Sequence, residues 1–212
     1  MTANQPESTL QITFPDSLTD LERAIWHQLI STTEHGQGID AGFKTMTVAT
    51  CTNRGADARM VILRAVDGIR KYVWFHTDAR SEKVIQLEAF PTTTLLFWDS
   101  KQQIQLRLTA ETRLHTDDYI ADEHWEKLAD GSRKLYFSEY VPGSELPTPY
   151  PGFPDYLNGK DLTDEAEKAG RSNFAVIECR VLAMEYLRVS REGQVRARFQ
   201  YEPESRMAWL AP

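Results

Sequence analysis

The chain has 212 residues, of which 41% are hydrophobic and 26% are charged, a composition typical of a globular protein. The formal net charge of -7 argues against nonspecific binding to nucleic acid or to anionic membranes. A chain of this length can bury its own hydrophobic core, so we predict a single domain over residues 1–212.

Three further features bear on the compartment of the protein. No apolar run approaches the roughly 18 residues that a membrane-spanning helix needs. Residues 1–16 form a polar, loose lead-in without the apolar centre of a secretory signal. Cys51 and Cys179 lack the spacing of a metal site, and we expect both to be small buried residues rather than a disulfide. We therefore predict a cytoplasmic protein without a metal site.

The first part of the chain is predicted to form a helix and three strands. Apolar residues recur at helical spacing from Leu18 to Leu29, and the segment Thr19 to Glu22 is typical of a capping box. This helix should end before His35, where two glycines follow closely. From Phe43 the apolar period changes to two, which predicts strands over 45–51, 58–66 and 71–77.

The second part of the chain alternates between strands and helices. A helix is predicted over 81–90, with Ser81 as its N-cap and Pro91 as its stop. A second helix is predicted over 117–128 with Thr116 as its cap, and a short charged one over 161–169. Alternating apolar residues predict further strands over 92–98, 103–115, 174–190 and 195–201.

About seven strands, several of them joined by tight turns, favour a mainly β fold of antiparallel hairpins that close into a barrel or sandwich. The GxGxxG motif does not follow the first strand, which argues against a parallel Rossmann sheet. Residues 142–159 contain five prolines and three glycines, which predicts a long loop without periodic order. Such loops in compact domains are usually functional or disordered.

Two neighbouring segments indicate a ligand. Arg59 and Arg64 flank an apolar strand, and Thr77, Ser81 and Lys83 follow at a strand-to-helix turn. Cations, hydroxyls and free helix amides are the donors that bind a phosphate monoester. The spacing predicts that these five side chains come together at a phosphate site.

The chain carries a series of short motifs in a fixed order: Arg-Met-Val-Ile-Leu-Arg, Phe-His-Thr-Asp, Ser-x-Lys, Phe97-Trp98 and Gln105-Leu-Arg-Leu, followed by Glu185-Tyr186, Arg198-Phe199-Gln200-Tyr201 and the final Leu210-Ala211-Pro212. This order resembles the pyridoxamine 5′-phosphate oxidase family of FMN-binding split barrels. The resemblance covers about residues 40–212. It implies a mainly β protein with peripheral helices, built on an antiparallel split β-barrel. It also implies a homodimer with one FMN in each of two clefts between the subunits.

Several roles follow from this resemblance. Arg59 and Lys83 would contact the FMN phosphate with help from Ser81, and His76 and Thr77 would lie against the flavin or its ribityl chain. The strand backbone along the flavin ring would belong to Met60, Val61, Ile62 and Leu63.

Residues later in the chain would complete the site. Gln105 would hydrogen-bond the flavin from the partner chain or a neighbouring strand, and Arg198 would contact the ring or its polar edge. Arg64 takes the place of a family lysine near flavin and substrate. Candidate substrate contacts are Arg64, Tyr136 and Arg196.

The cofactor motif departs from the family pattern at one position. Glu82 stands at the middle of the family's Ser-Arg-Lys triplet, so one phosphate cation is missing. Arg80, two positions earlier, is a candidate to replace it.

The substrate motifs depart further. Gln194 and Arg196 replace an Arg and a His that handle the substrate, and Leu187 replaces a Trp. Ser144 is kept in the substrate-phosphate segment, but Tyr140 stands at its arginine position.

We therefore predict an FMN-dependent oxidoreductase whose small-molecule substrate differs from pyridoxamine 5′-phosphate. Two alternatives stay open: a flavin-binding or stress-related module without turnover, and a split barrel that binds haem or a deazaflavin. A Ser–His–Asp hydrolase is disfavoured because the chain lacks a GxSxG elbow.

Overall fold

The computed structural model describes residues 17–34, 42–154, 157 and 164–212, so the predicted lead-in over 1–16 lies outside the described residues. The described helices are α1 (Leu18–Glu34), α2 (Glu82–Ala89), α3 (Tyr119–Glu126), α4 (Asp130–Arg133) and α5 (Asp164–Asn173), with a 3-10 turn over Lys134–Tyr136. The described strands are β1 (Thr45–Thr52), β2 (Gly55–Asp67), β3 (Tyr72–Asp78), β4 (Thr92–Asp99), β5 (Ile104–His115), β6 (Phe174–Arg188), β7 (Val195–Gln200) and β8 (Arg206–Leu210). None of these helices is long and apolar enough to cross a membrane.

The strands form one antiparallel sheet in the order β3-β2-β1-β4-β5-β6-β7-β8. An additional pairing between β3 and β6 closes the first six strands of this order into a barrel. β7 and β8 extend the sheet beyond β6. The predicted split barrel with peripheral helices is thereby confirmed.

β8 is a strand that the sequence prediction missed. It has five residues, follows Pro203 closely, and pairs with β7 alone, as an edge strand. In a short edge strand, apolar and polar residues need not alternate regularly, because the side chains on its exposed side have no neighbours to pack against.

Alternating side chains fill the interior of the barrel, as the apolar period of two predicted. Examples with no exposed surface are Leu95 and Phe97 on β4, and Leu106 and Leu108 on β5. The predicted apolar face of α1 packs against the same core. A second hydrophobic cluster lies around Phe174, Trp125 and Tyr136, and it supports α3 against the sheet.

A β-bulge interrupts β2 where it pairs with β3. Leu63 lies opposite Phe75 and Ala65 lies opposite Trp74, so Arg64 has no residue opposite it. Bulges of this kind redirect side chains. Arg64 consequently lines an outer cavity together with Trp74, while Leu63 is fully buried in the core.

Two of the predicted helix caps lie two residues away from the observed ones. α1 begins at Leu18, and the Ser17 hydroxyl accepts a hydrogen bond from the Asp20 amide at 3.1 Å. Glu22, predicted to close the capping box, instead pairs with Lys71 at 2.7 Å. Several polar residues near a helix start can serve as the cap, and the choice depends on where the first turn begins.

At α3 the predicted cap is displaced by two residues in the opposite direction. The Asp118 carboxylate, rather than the predicted Thr116, accepts the hydrogen bond from the Ala121 amide at 3.0 Å. The carboxylate stands next to the first helical residue, Tyr119, and Thr116 lies two residues too early.

The prediction that both cysteines are buried is wrong for one of them. Cys179 is buried on β6, but Cys51 is exposed, and both are free thiols. Along β1 the even-numbered residues face the core, so Cys51 points outward close to the hairpin tip.

The proline-rich segment contains neither helix nor strand over residues 142–154, as predicted. Residues 155, 156, 158 and 159 of that loop lie outside the described part of the chain. So do residues 161–163 of the predicted charged helix, which the structure describes from Asp164 onward as α5.

Candidate functional site

The turn between β3 and α2 holds a cluster of two cations and two hydroxyls, which we call the basic cradle: Arg59, Thr77, Ser81 and Lys83. The Lys83 ammonium donates to the Thr77 hydroxyl at 2.9 Å and to the Ser81 hydroxyl at 3.0 Å. The two hydroxyl oxygens are 3.2 Å apart. Ser81 stands at the N-cap position of α2, but its side chain does not cap the helix. The Ser81 hydroxyl accepts a hydrogen bond from the Lys83 ammonium instead.

Arg59 reaches the basic cradle from β2. Its guanidinium donates to the hydroxyl of Thr50 and to the amide oxygen of Gln86, and it pairs with Asp57. Burial lowers the pKa of the Lys83 amine, and the positive charge of Arg59 lowers it further. Two cations that repel each other favour an anionic ligand beside them.

Arg80 does not supply the missing cation of this cluster. Its guanidinium binds both carboxylate oxygens of Asp78, at 3.0 and 2.7 Å, and the Ser138 carbonyl at 3.0 Å. Arg80 therefore does not replace the phosphate cation that is missing at Glu82. Its guanidinium is already hydrogen-bonded and links β3 to the segment after α4.

Arg64 lies apart from the basic cradle, contrary to the prediction that all five phosphate-site side chains meet. It lines a cavity of about 550 Å³ together with Lys44, Trp74, His76 and His124. The separation follows from strand geometry. Arg59 and Arg64 stand at an odd and an even position of β2, so their side chains project to opposite faces of the sheet, and the bulge at Arg64 increases the separation.

A pair of histidines lines the cavity beside Arg64, and we call this cavity the second cavity to distinguish it from the basic cradle. Nε2 of His76 is 2.9 Å from Nδ1 of His124, and Nδ1 of His76 is buried without a partner among the described residues. Burial lowers the pKa of His76 to about 3, and the charges of His124 and Arg64 contribute. His76 is therefore neutral near pH 7. Sequence reasoning missed His124, because 48 residues separate the two rings along the chain.

This buried imidazole should make stability depend on pH. The pKa of His76 is about 3 when folded and 6.5 ordinarily, so the unfolded chain binds more protons between those values. The free energy of unfolding should consequently fall as the pH decreases below about 6.5, by about 1.4 kcal/mol per pH unit. Urea unfolding at pH 7 and pH 5 should show His76→Phe losing about 2 kcal/mol less than the wild type. Exposed His27→Asn is the control, and equal losses in the wild type and His76→Phe would contradict the assignment.

Tyr136, a predicted substrate contact, is buried in the second hydrophobic cluster. Its ring meets Trp125 and Phe174 edge-on, at centroid distances of 5.9 and 4.9 Å. Burial raises the pKa of its phenol to about 12, and the nearby Arg64 charge opposes that rise. Tyr136 thus lies near Arg64, and its ring contacts are packing contacts within the second hydrophobic cluster.

Arg196 and Arg198 lie on β7, and their described hydrogen bonds go to Glu185 and not to the basic cradle. Their guanidinium groups form ion pairs with the Glu185 carboxylate at 2.9 and 2.8 Å. The Arg107 guanidinium binds the same carboxylate at 2.6 Å. Burial alone would raise the pKa of Glu185, but hydrogen bonds from the three guanidinium groups lower it to about 2. One carboxylate for three cations leaves this surface with excess positive charge.

The four residues of β2 that were predicted to lie along the flavin ring, Met60 to Leu63, point to two different faces of the sheet. Met60 and Ile62 are exposed on the outer face, while Val61 packs against the core and Leu63 is buried in it. Gln105 lies on the outer face of β5 and pairs with Trp98 of β4.

Comparisons with known proteins agree with this architecture. A family model described as Pyridoxamine 5′-phosphate oxidase matches residues 33–188. A curated pyridoxine/pyridoxamine 5′-phosphate oxidase from Kineococcus radiotolerans is 39% identical over 94 residues. That match covers 41% of this chain and 41% of the relative, so it spans about two fifths of the relative's length.

Two solved structures are similar in fold. A pyridoxamine 5′-phosphate oxidase-related, FMN-binding protein from Nostoc punctiforme has a TM-score of 0.67 and covers 92% of this chain and 100% of its own. PhzG from Burkholderia lata, solved with tetrahydrophenazine-1-carboxylic acid, has a TM-score of 0.66 and covers 96% and 100%. Both are 17% identical, which bears on the fold alone. With the family model matching most of its length, the chain belongs to the pyridoxamine 5′-phosphate oxidase family.

Proposed function

We propose that this protein binds FMN noncovalently, with the phosphate in the basic cradle. The observation that carries the proposal is Lys83, a largely buried ammonium held by two hydroxyls beside a second cation, Arg59. Among the described residues, Lys83 forms no ion pair with a carboxylate, so its charge is free for a phosphate. Charge-assisted hydrogen bonds of this kind contribute about 1.5–3 kcal/mol each.

We further propose that the protein is an oxidoreductase. Bound FMN would supply two-electron redox chemistry, and the chain would position the ring. The neutral His76–His124 pair and the Arg64 guanidinium would face the ring or the substrate from the second cavity. Support for a substrate other than pyridoxamine 5′-phosphate comes from Tyr140 and Gln194, which stand where the family carries cations.

We propose that the working unit is a homodimer. An unbroken cross-strand row connects Met60 to Arg198 through Thr47, Leu96, Arg107 and Glu185. Five strand spacings along this curved row amount to roughly 24 Å of sheet, which separates Arg198 from Met60 on the outer face of one chain. The row is apolar and exposed at one end, with Met60 at 63% and Trp98 nearby at 47%, and basic at the other. A twofold arrangement would place the basic end of one copy over the apolar end of the other.

The test is the absorbance spectrum and mass of the purified chain. We expect a yellow protein with flavin bands, or one that acquires them on adding FMN, and a sedimentation mass of two chains. A Soret band would favour haem, and a deazaflavin band would favour that cofactor. A colourless protein that ignores added FMN would overturn the proposal, and a monomer at micromolar concentration would overturn the dimer. Reduction of bound FMN by NAD(P)H, followed by steady turnover, would separate an enzyme from a flavin-binding module.

A further inference from the structure

A third cavity, of about 420 Å³, lies between the end of β3 and the proline-rich loop. Its lining includes Asp78, Leu135, Tyr140, Val141, Ser144 and Tyr150. Asp78 directly follows Thr77, so the cavity adjoins the basic cradle on the opposite side of the chain. A volume of this size suits a small organic molecule.

The charge of this cavity does not suit an anion. Among the described residues, none that lines it is Lys or Arg. The guanidinium of Arg80 is close by, but both carboxylate oxygens of Asp78 and the Ser138 carbonyl hold it. A phosphate monoester entering here would lose its water and meet the Asp78 carboxylate without a free cation.

Its walls are instead aromatic and aliphatic. Tyr140 and Tyr150 meet edge-to-face, with ring centroids 5.0 Å apart, and the large side chains of Leu135 and Val141 are left about half exposed. Such walls match a planar apolar ligand.

One polar group in this wall could form a hydrogen bond that it does not form with the described residues. The Tyr150 hydroxyl is buried and has no hydrogen-bond partner among the described residues. Buried hydroxyls are nearly always paired, so this one calls for a partner that the described residues do not supply. The phenol can donate to a ligand oxygen.

We propose that this cavity binds a neutral planar aromatic compound whose hydroxyl or carbonyl oxygen accepts a hydrogen bond from Tyr150. The inference goes beyond the proposed function, since the cavity adjoins the proposed phosphate site and is separate from the cavity around Arg64 and His76. It assigns the cavity to an uncharged aromatic ligand and excludes phosphate monoesters.

The experiment compares two probes with the same ring, 2-naphthol and 2-naphthyl phosphate. Calorimetric titration uses the full chain saturated with FMN. We expect 2-naphthol to bind at least tenfold more tightly than the phosphate ester. Tyr150→Phe should weaken 2-naphthol binding about three- to tenfold, the effect of one lost hydrogen bond. Tyr119→Phe, an exposed phenol on α3 outside this cavity, is the matched control and should leave binding unchanged.

Two outcomes would overturn the proposal. One is equal or tighter binding of 2-naphthyl phosphate, which would show a free cation in the site. The other is 2-naphthol binding that neither Tyr150→Phe nor Tyr140→Ala alters. The same titration without FMN separates this proposal from the preceding one. The cavity is preformed, so 2-naphthol binding that depends on Tyr150 would survive even if the chain does not bind FMN.

Discussion

Replacing Arg59 with alanine should weaken FMN binding at least tenfold. The guanidinium lies on β2 within the basic cradle, where its charge already acts on Lys83. A lost charge-assisted hydrogen bond costs about 1.5–3 kcal/mol, which corresponds to roughly ten- to 150-fold in Kd. Fluorescence quenching of FMN on titration with the protein measures this directly.

The matched control for this prediction is Arg54→Ala. Arg54 lies on the exposed turn between β1 and β2 and lines a cavity with Asp57 and Gln86, but it forms no hydrogen bond to a basic-cradle residue among the described contacts, so its loss should leave Kd within twofold. Lys83→Met provides a second variant with the same expected direction. An FMN affinity that withstands both Arg59→Ala and Lys83→Met would remove the phosphate assignment.

Phe174→Ala should lower the free energy of unfolding by about 3–5 kcal/mol. The Phe174 ring has no exposed surface and contacts three other rings: His76 at 4.9 Å, Trp125 at 5.2 Å and Tyr136 at 4.9 Å. Its removal would leave a cavity between β6 and α3. Since whole domains are stable by only about 5–15 kcal/mol, the loss would be a large fraction of the total. Urea unfolding followed by tryptophan fluorescence gives the value.

Phe90→Ala, at an exposed phenylalanine after α2, is the control and should change stability by less than about 1 kcal/mol. A loss below about 1 kcal/mol for Phe174→Ala would show that the second hydrophobic cluster is not needed to hold α3.

The strands and hairpins could be predicted from the sequence because their information is local, whereas their closure into a split barrel was predicted only from the family resemblance. On β5, alternation between Leu106 or Leu108 and polar neighbours is a property of adjacent residues, and a hairpin turn such as Asn53-Arg54-Gly55 is equally short-ranged. Three members of the basic cradle were predictable for the same reason, since Thr77, Ser81 and Lys83 lie close together in the sequence at the turn between β3 and α2.

The remaining features depend on contacts between distant residues. The pairing of β3 with β6 joins Tyr72 to Arg180, and nothing near either residue specifies the other. The contact of His76 with His124, and the burial of the Tyr150 hydroxyl, likewise depend on how α3 and the proline-rich loop pack on the sheet. Residue type and spacing carry no information about such packing until the fold is assembled.

The bulge in β2 has a consequence for chain length. Because Leu63 and Ala65 already have opposite residues on β3, removing residue 64 would leave their pairs in continuous antiparallel register. A deletion at this position is therefore compatible with an intact barrel and would remove the Arg64 charge from the second cavity. An alignment gap here should be interpreted as a change in the chemistry of the site, and not as a break in the strand.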